Sequence, residues 1–96
     1  MDIMRGDVVR SLAGHDKDTL YCVVNTDGDF LFLANGKERK LNAPKRKRCK
    51  HVRREGTCDR PVFLRLCAEE LVGDNELRKA LAAFRDERNQ MQSRRE

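Results

Sequence analysis

Turn signals at short intervals constrain this chain more than any other feature. Gly6-Asp7, Gly14, Asp27-Gly28 and Asn35-Gly36 cut the first part of the sequence into runs too short for stable helices. Between them, Asp7–Leu12 alternates, with Val8 and Leu12 assigned to one face and Val9 and Ser11 to the other, the pattern of a half-buried strand. "GHDKDT" (14–19) is a polar loop in which Gly14 supplies positive φ. "LYCVVN" (20–25) is rich in β-branched and aromatic residues, and the Asp27-Gly28 turn joins it to "FLFLA" (30–34). That second run is apolar on both faces, which predicts a central strand. Asn35-Gly36 then predicts a hairpin into "KERKL" (37–41), and a fifth strand is expected near Cys49–Val52 after "NAPKRKR". Five short strands in so few residues predict a mainly β fold, a small, strongly bent antiparallel barrel over residues 1–54. Closure would hide its edges and leave loops at one rim.

The remainder reads as helical. "RPVFLRLCAEELV" fits a helix through Phe63, Leu66, Cys67 and Leu71 and a strand through Val62, Leu64 and Leu66; a short helix in the connector 55–73 is the reading adopted. In "DNELRKALAAFRDERNQMQ", Leu77, Leu81 and Phe84 recur at helical spacing beside Ala80, which predicts a C-terminal helix over 74–92. Asp74 is its expected N-cap, with Gly73 ending what precedes it. From Arg85 the apolar stripe stops except for Met91, so that end is expected to fray or project.

Charge is unevenly spread. The net charge is +5, yet residues 37–54 hold ten Lys/Arg and the single acid Glu38. A cationic segment on a slightly acidic body predicts a polyanionic partner. No charged-then-apolar leader opens the chain, and apolar runs such as Phe30–Ala34 are far too short to cross a bilayer. A soluble, cytoplasmic protein with no membrane partner is expected, its thiols reduced.

The order of turn, strand, glycine loop and strand in "GDVVRSLAGHDKDTLYCVVN…FLFLANGK" resembles the KOW motif of translation proteins. Val8–Val52 is similar to the large-subunit ribosomal proteins of the L-fourteen-e type, and closer still to the small bacterial KOW-domain RNA-binding proteins related to them. In that family a basic segment ends in a Lys-His-hydrophobic triplet; here "KRKRCKHV" ends in Lys50, His51 and Val52. The resemblance covers about half the chain. It implies an SH3-like barrel that contacts RNA, typically ribosomal RNA. One departure stands out: Asp18 occupies a position where the family usually carries a second glycine.

The candidate RNA-binding residues follow. They are Lys45, Arg46, Lys47, Arg48, Lys50, Arg53 and Arg54, supported by Lys37, Arg39 and Lys40, with His51 beside the arginines. Gly14, His15 and Lys17 of the glycine loop complete the set. Arginine offers a planar fork to phosphate and lysine a point charge. If about five phosphates are neutralised, affinity should fall with salt at a log–log slope of about −3.5 to −4.5. Tyr21 is the aromatic that could stack on a base if its strand face is open, or pack inward instead. Cys49, Cys58 and Cys67 lack the close ligand pairs of a structural zinc site, so no metal or other cofactor is expected. Cys49, amid cations, is a candidate reactive thiol.

No phosphate-cradling glycine loop leads into a helix, and no nucleophile has a recognisable base, so the chain is not expected to be an enzyme. The leading reading is an RNA-binding module acting in translation or on the ribosome, touching ribosomal RNA and ribosomal proteins. The alternative is a protein-interaction adaptor using the barrel and the C-terminal helix. Oligomeric state is not legible.

Overall fold

Leu20–Asp27 (β2) is the longest strand and the centre of a five-stranded antiparallel sheet. The computed structural model describes residues 3–57, 60–68 and 72–93, the side chains of Arg60, Phe63, Cys67 and residues 90–93 excepted. Cys58 and Leu71 therefore lie outside the described residues, as do the side chains of Phe63, Cys67 and Met91. Around β2 stand β1 (Asp7–Ser11), β3 (Phe30–Ala34), β4 (Lys45–Arg48) and β5 (Val52–Thr57), in the order β4-β3-β2-β1-β5. Two helices follow, α1 (Arg60–Cys67) and α2 (Asp74–Ser93). The mainly β fold with a C-terminal helix is thus present. Its edge strands, β4 and β5, follow one another in the chain across a three-residue 3-10 turn, Cys49–His51.

At β1 and β2 both faces of the sheet are covered, which explains why Val8 and Val9 are buried side by side. On the inner face Val9, Tyr21, Val23, Leu31, Leu33, Cys49 and Val52 form one cluster. On the outer face Val8, Cys22 and Ala34 meet Val62 and Leu66 of α1 and Leu77, Ala80 and Leu81 of α2. Leu12 stays 41 % exposed, because the strand ends at Ser11 and its residue lies beyond the packed face. β3 lies between β2 and β4 rather than at the centre; its Phe30 and Phe32 are half-buried on the face that Leu31 and Leu33 do not use.

The expected strand at Lys37–Leu41 is not formed. Asn35 is buried, and its Oδ1 accepts from the Lys37 and Arg39 backbone N–H groups, both at 3.0 Å. The Leu41 N–H is taken by Asp74 Oδ1 at 2.8 Å. With those donors satisfied locally no ladder to β3 can start, and the chain re-enters the sheet only at Lys45, after Pro44. Gly36 is required in this turn: its φ is +77°, and a Cβ there would sit 2.3 Å from the Asp74 carbonyl oxygen. The fifth strand, expected near Cys49–Val52, instead starts at Val52, after the 3-10 turn Cys49–His51, and runs to Thr57, past the expected domain limit at residue 54.

Helix α2 begins where expected but is capped differently. The first helical bond runs from Leu77 N–H to Gly73 O, and Glu76 Oε1 accepts from the Gly73 N–H at 3.3 Å, so Gly73 occupies the cap position. Asp74 instead ties the helix to the 35–41 turn. Nor does α2 simply project after Arg85, because the Arg88 guanidinium donates to the Glu55 carbonyl and carboxylate of β5, both at 2.8 Å.

Candidate nucleic-acid interface

Strand alternation divides the cationic run into two populations. β4 pairs with β3 in the register Leu31↔Lys47 and Leu33↔Lys45, and Phe30↔Arg48 and Phe32↔Arg46. Paired residues share a face, so the two lysines lie on the side of the inner core and the two arginines on the other.

The lysines reach back over the core to the glycine loop. Lys45 Nζ lies 2.7 Å from Asp16 Oδ2, and Lys47 Nζ lies 2.9 Å from Asp16 Oδ1. Lys47 also donates to Ser11 Oγ and the Ala13 carbonyl, both at 2.8 Å, which satisfies all three of its protons. Asp16 further accepts from Ser11 Oγ and from the Tyr21 hydroxyl, each at 2.9 Å. Burial alone would raise the Asp16 pKa. The hydrogen bonds from Lys45, Lys47, Ser11 and Tyr21 outweigh it and hold the carboxyl well below its usual range. Burial, then the neighbouring Asp16 carboxylate, pushes the Tyr21 phenol well above its usual range. Tyr21 is only 2 % exposed, so it packs inward and offers no stacking surface. Lys45 and Lys47 thus tie β4 to the glycine loop through Asp16, so their ammonium groups are engaged within the fold.

The arginines face outward. The Arg46 guanidinium carbon lies 3.7 Å from the Phe30 ring centroid and that of Arg48 at 5.2 Å. Such contacts restrict a long side chain while leaving the N–H edge of the guanidinium open. Neither arginine has an acidic partner among the described residues, and both are exposed. Lys50 and His51 are exposed on the 3-10 turn, and the His51 carbonyl accepts from Leu12 N–H at 2.9 Å. Lys37, Arg39 and Lys40 are exposed on the turn after β3, Lys40 reaching the Gly36 carbonyl at 3.5 Å.

No family model and no curated protein matches this chain.

Arg53 and Arg54 are less available than the run implied. Arg53 Nε pairs with Glu55 Oε2 at 2.7 Å, and Arg54 Nε with Asp7 Oδ2 at 3.1 Å. Glu55, with its side chain 3 % exposed, also meets Arg10 and Arg88. Burial would raise its pKa, but the hydrogen bond and charge of Arg53, with Arg10 and Arg88, lower it. Cys49 is buried in the inner core while His51 is exposed, so this pair does not converge on a metal site. That burial also shields Cys49 from thiol reagents, whatever the cations nearby.

In the glycine loop His15 and Lys17 are exposed, and Gly14 has φ +89°. Asp18 has φ +74°, the one non-glycine residue in the left-handed region among those described. This backbone geometry, which glycine adopts freely, is therefore reached here at a cost. Asp18→Gly should stabilise the fold by about 0.5–1 kcal/mol, since glycine enters this region without steric penalty. A denaturant midpoint that stays put or falls would show that the loop relaxes around Asp18 without strain.

The residues that sequence reasoning missed are Asp16, Ser11, Glu55, Arg10, Arg88 and Phe30. The signal for Asp16 was indirect: two lysines on the core face of a strand need an acid, but that requires the true limits of β4. No helix among the described residues is long and apolar enough to cross a membrane.

Proposed function

We propose that this protein binds structured RNA, with ribosomal RNA the leading target, and acts by binding rather than by catalysis. The observation that carries this is the outward row on β4: Arg46 and Arg48 lie over Phe30 without acidic partners among the described residues, on a strand tied to the glycine loop by Lys45 and Lys47. Lys50 extends it at one end, and Lys37, Arg39 and Lys40 add cationic side chains on the turn after β3. A cationic surface on ordered backbone loses less conformational entropy on binding than a flexible tail. Guanidinium edges suit the phosphate backbone, so recognition is by shape and charge more than by base sequence. The KOW resemblance points the same way and suggests a role in translation, in the cytoplasm, beside ribosomal proteins.

Two measurements test the reading. Titration of the protein with a labelled ribosomal RNA fragment at several salt concentrations should give a log–log slope of about −3.5 to −4.5. In lysate gradients the protein should co-migrate with large ribosomal subunits at low salt and leave them at high salt. Sedimentation at the top of both gradients, with no RNA affinity in the titration, would sink the reading.

A further inference from the structure

Helix α2 leaves a trough along its flank to which the basic run of residues 37–54 contributes Lys37 and Arg53. Two adjoining cavities of about 570 and 360 Å³ share Arg10, Asp18, Leu20, Arg85 and Asn89 in their walls. Lys37 and Arg78 line the larger, and Arg53 and Arg88 the smaller. The carboxylates present are Asp18, Glu38 and Glu55, and Glu55 is already engaged by Arg10, Arg53 and Arg88. Arg85, Arg78 and Lys37 have no acidic partner among the described residues; Arg78 hydrogen-bonds only the neutral Asn75 amide. Leu20, Leu81 and Ala82 contribute apolar walls that offer these cations no hydrogen bonds. Cations clustered in a concave wall reinforce one another's field and are screened less than on an open surface.

Lys37 belongs both to this trough and to the turn that carries Arg39 and Lys40, so the two cationic surfaces are continuous. We propose that the trough seats a backbone phosphate of the bound RNA, with Arg85 as its main contact and Arg78 and Lys37 flanking it. The proposal rests on the RNA-binding reading and extends the footprint from β4 across the turn to α2. Asp18, in the wall of both cavities, and Glu38, in that of the larger, oppose the phosphate.

The test uses the full chain and a labelled ribosomal RNA stem-loop, comparing wild type with Arg78→Gln/Arg85→Gln and with Arg46→Gln/Arg48→Gln across a salt series. Arg85 is exposed and makes no hydrogen bond or ion pair among the described residues, and Arg78 loses only an exposed bond to Asn75 of its own helix, so the trough variant should melt close to the wild type. Loss of one phosphate contact should weaken binding several-fold at low salt and flatten the log–log slope by about 0.7–0.9. Unchanged affinity and slope in the trough variant would overturn the proposal. If Arg46→Gln/Arg48→Gln loses affinity in the same series, the RNA-binding reading survives that failure. A wild type that does not bind the RNA removes both. Pyrophosphate is the remaining arm: saturable shifts of the Arg85 side-chain resonance, with the RNA slope unaltered by the trough variant, would overturn the RNA occupant in favour of a small phosphate ligand.

Discussion

Asp16→Asn should destabilise the fold by about 3 kcal/mol, the low end of what is lost when one partner of a buried ion pair is removed. Asp16 is 12 % exposed and Lys47 10 %, so the variant leaves the Lys47 ammonium with its charge uncompensated beside the inner core. Lys45, at 26 %, can turn towards water, which keeps the loss from being larger. For a domain of this size that corresponds to a fall in Tm of roughly 12–24 °C. The same carboxylate predicts an acid sensitivity. Its folded pKa is depressed below the unfolded value, so its contribution is fully present above about pH 4 and is lost as pH falls through the folded pKa. Denaturant titrations of wild type and Asp16→Asn should therefore differ fully near neutral pH, begin to converge below about pH 4 and meet only below the folded pKa. A difference under about 1 kcal/mol at pH 7 would mean that the network is no stronger than a surface ion pair.

The second large effect is on affinity. Arg46→Glu/Arg48→Glu should weaken binding to a ribosomal RNA fragment by about 100-fold, roughly 2.8 kcal/mol, because two phosphate contacts become repulsive. Stability should change little, since both side chains are exposed and, among the described residues, contribute their contacts with Phe30. Lys47→Gln should do the reverse, lowering Tm while leaving the outward surface intact. Filter-binding and melting of the same preparations give both quantities. An Arg46→Glu/Arg48→Glu variant that binds RNA as the wild type does would move the binding surface away from β4. If a protein partner were then still captured, the adaptor reading would take precedence.

Consecutive residues of one basic run thus carry different tasks, and this shows where sequence reasoning reaches its limit. The hydrophobic runs and turns around β1, β2 and β3 were legible because each strand declares its own limits: Gly14 and Asp27-Gly28 bracket β2, and Phe30–Ala34 is bounded by Asn35-Gly36. Helix α2 was legible from Leu77, Leu81 and Phe84. β4 was not. Lys37–Leu41 and Lys45–Arg48 are equally polar, and neither shows an apolar alternation. What excludes the first is a side chain, Asn35, taking the backbone donors that a ladder needs, reinforced by Asp74 from a helix more than thirty residues away.

From its sequence alone, this protein was bound to be a small sheet of short antiparallel strands followed by a helix, with its positive charge gathered in one stretch. Turn chemistry and apolar period are local properties, and charge is a matter of composition. Which cations face water was decided only in three dimensions. Register sets Lys45 and Lys47 opposite Leu33 and Leu31, on the core side, where a charge persists only if an acid meets it. Asp16 meets it from a loop about thirty residues earlier in the chain. Arg46 and Arg48, shifted by one position along the strand, face outward instead.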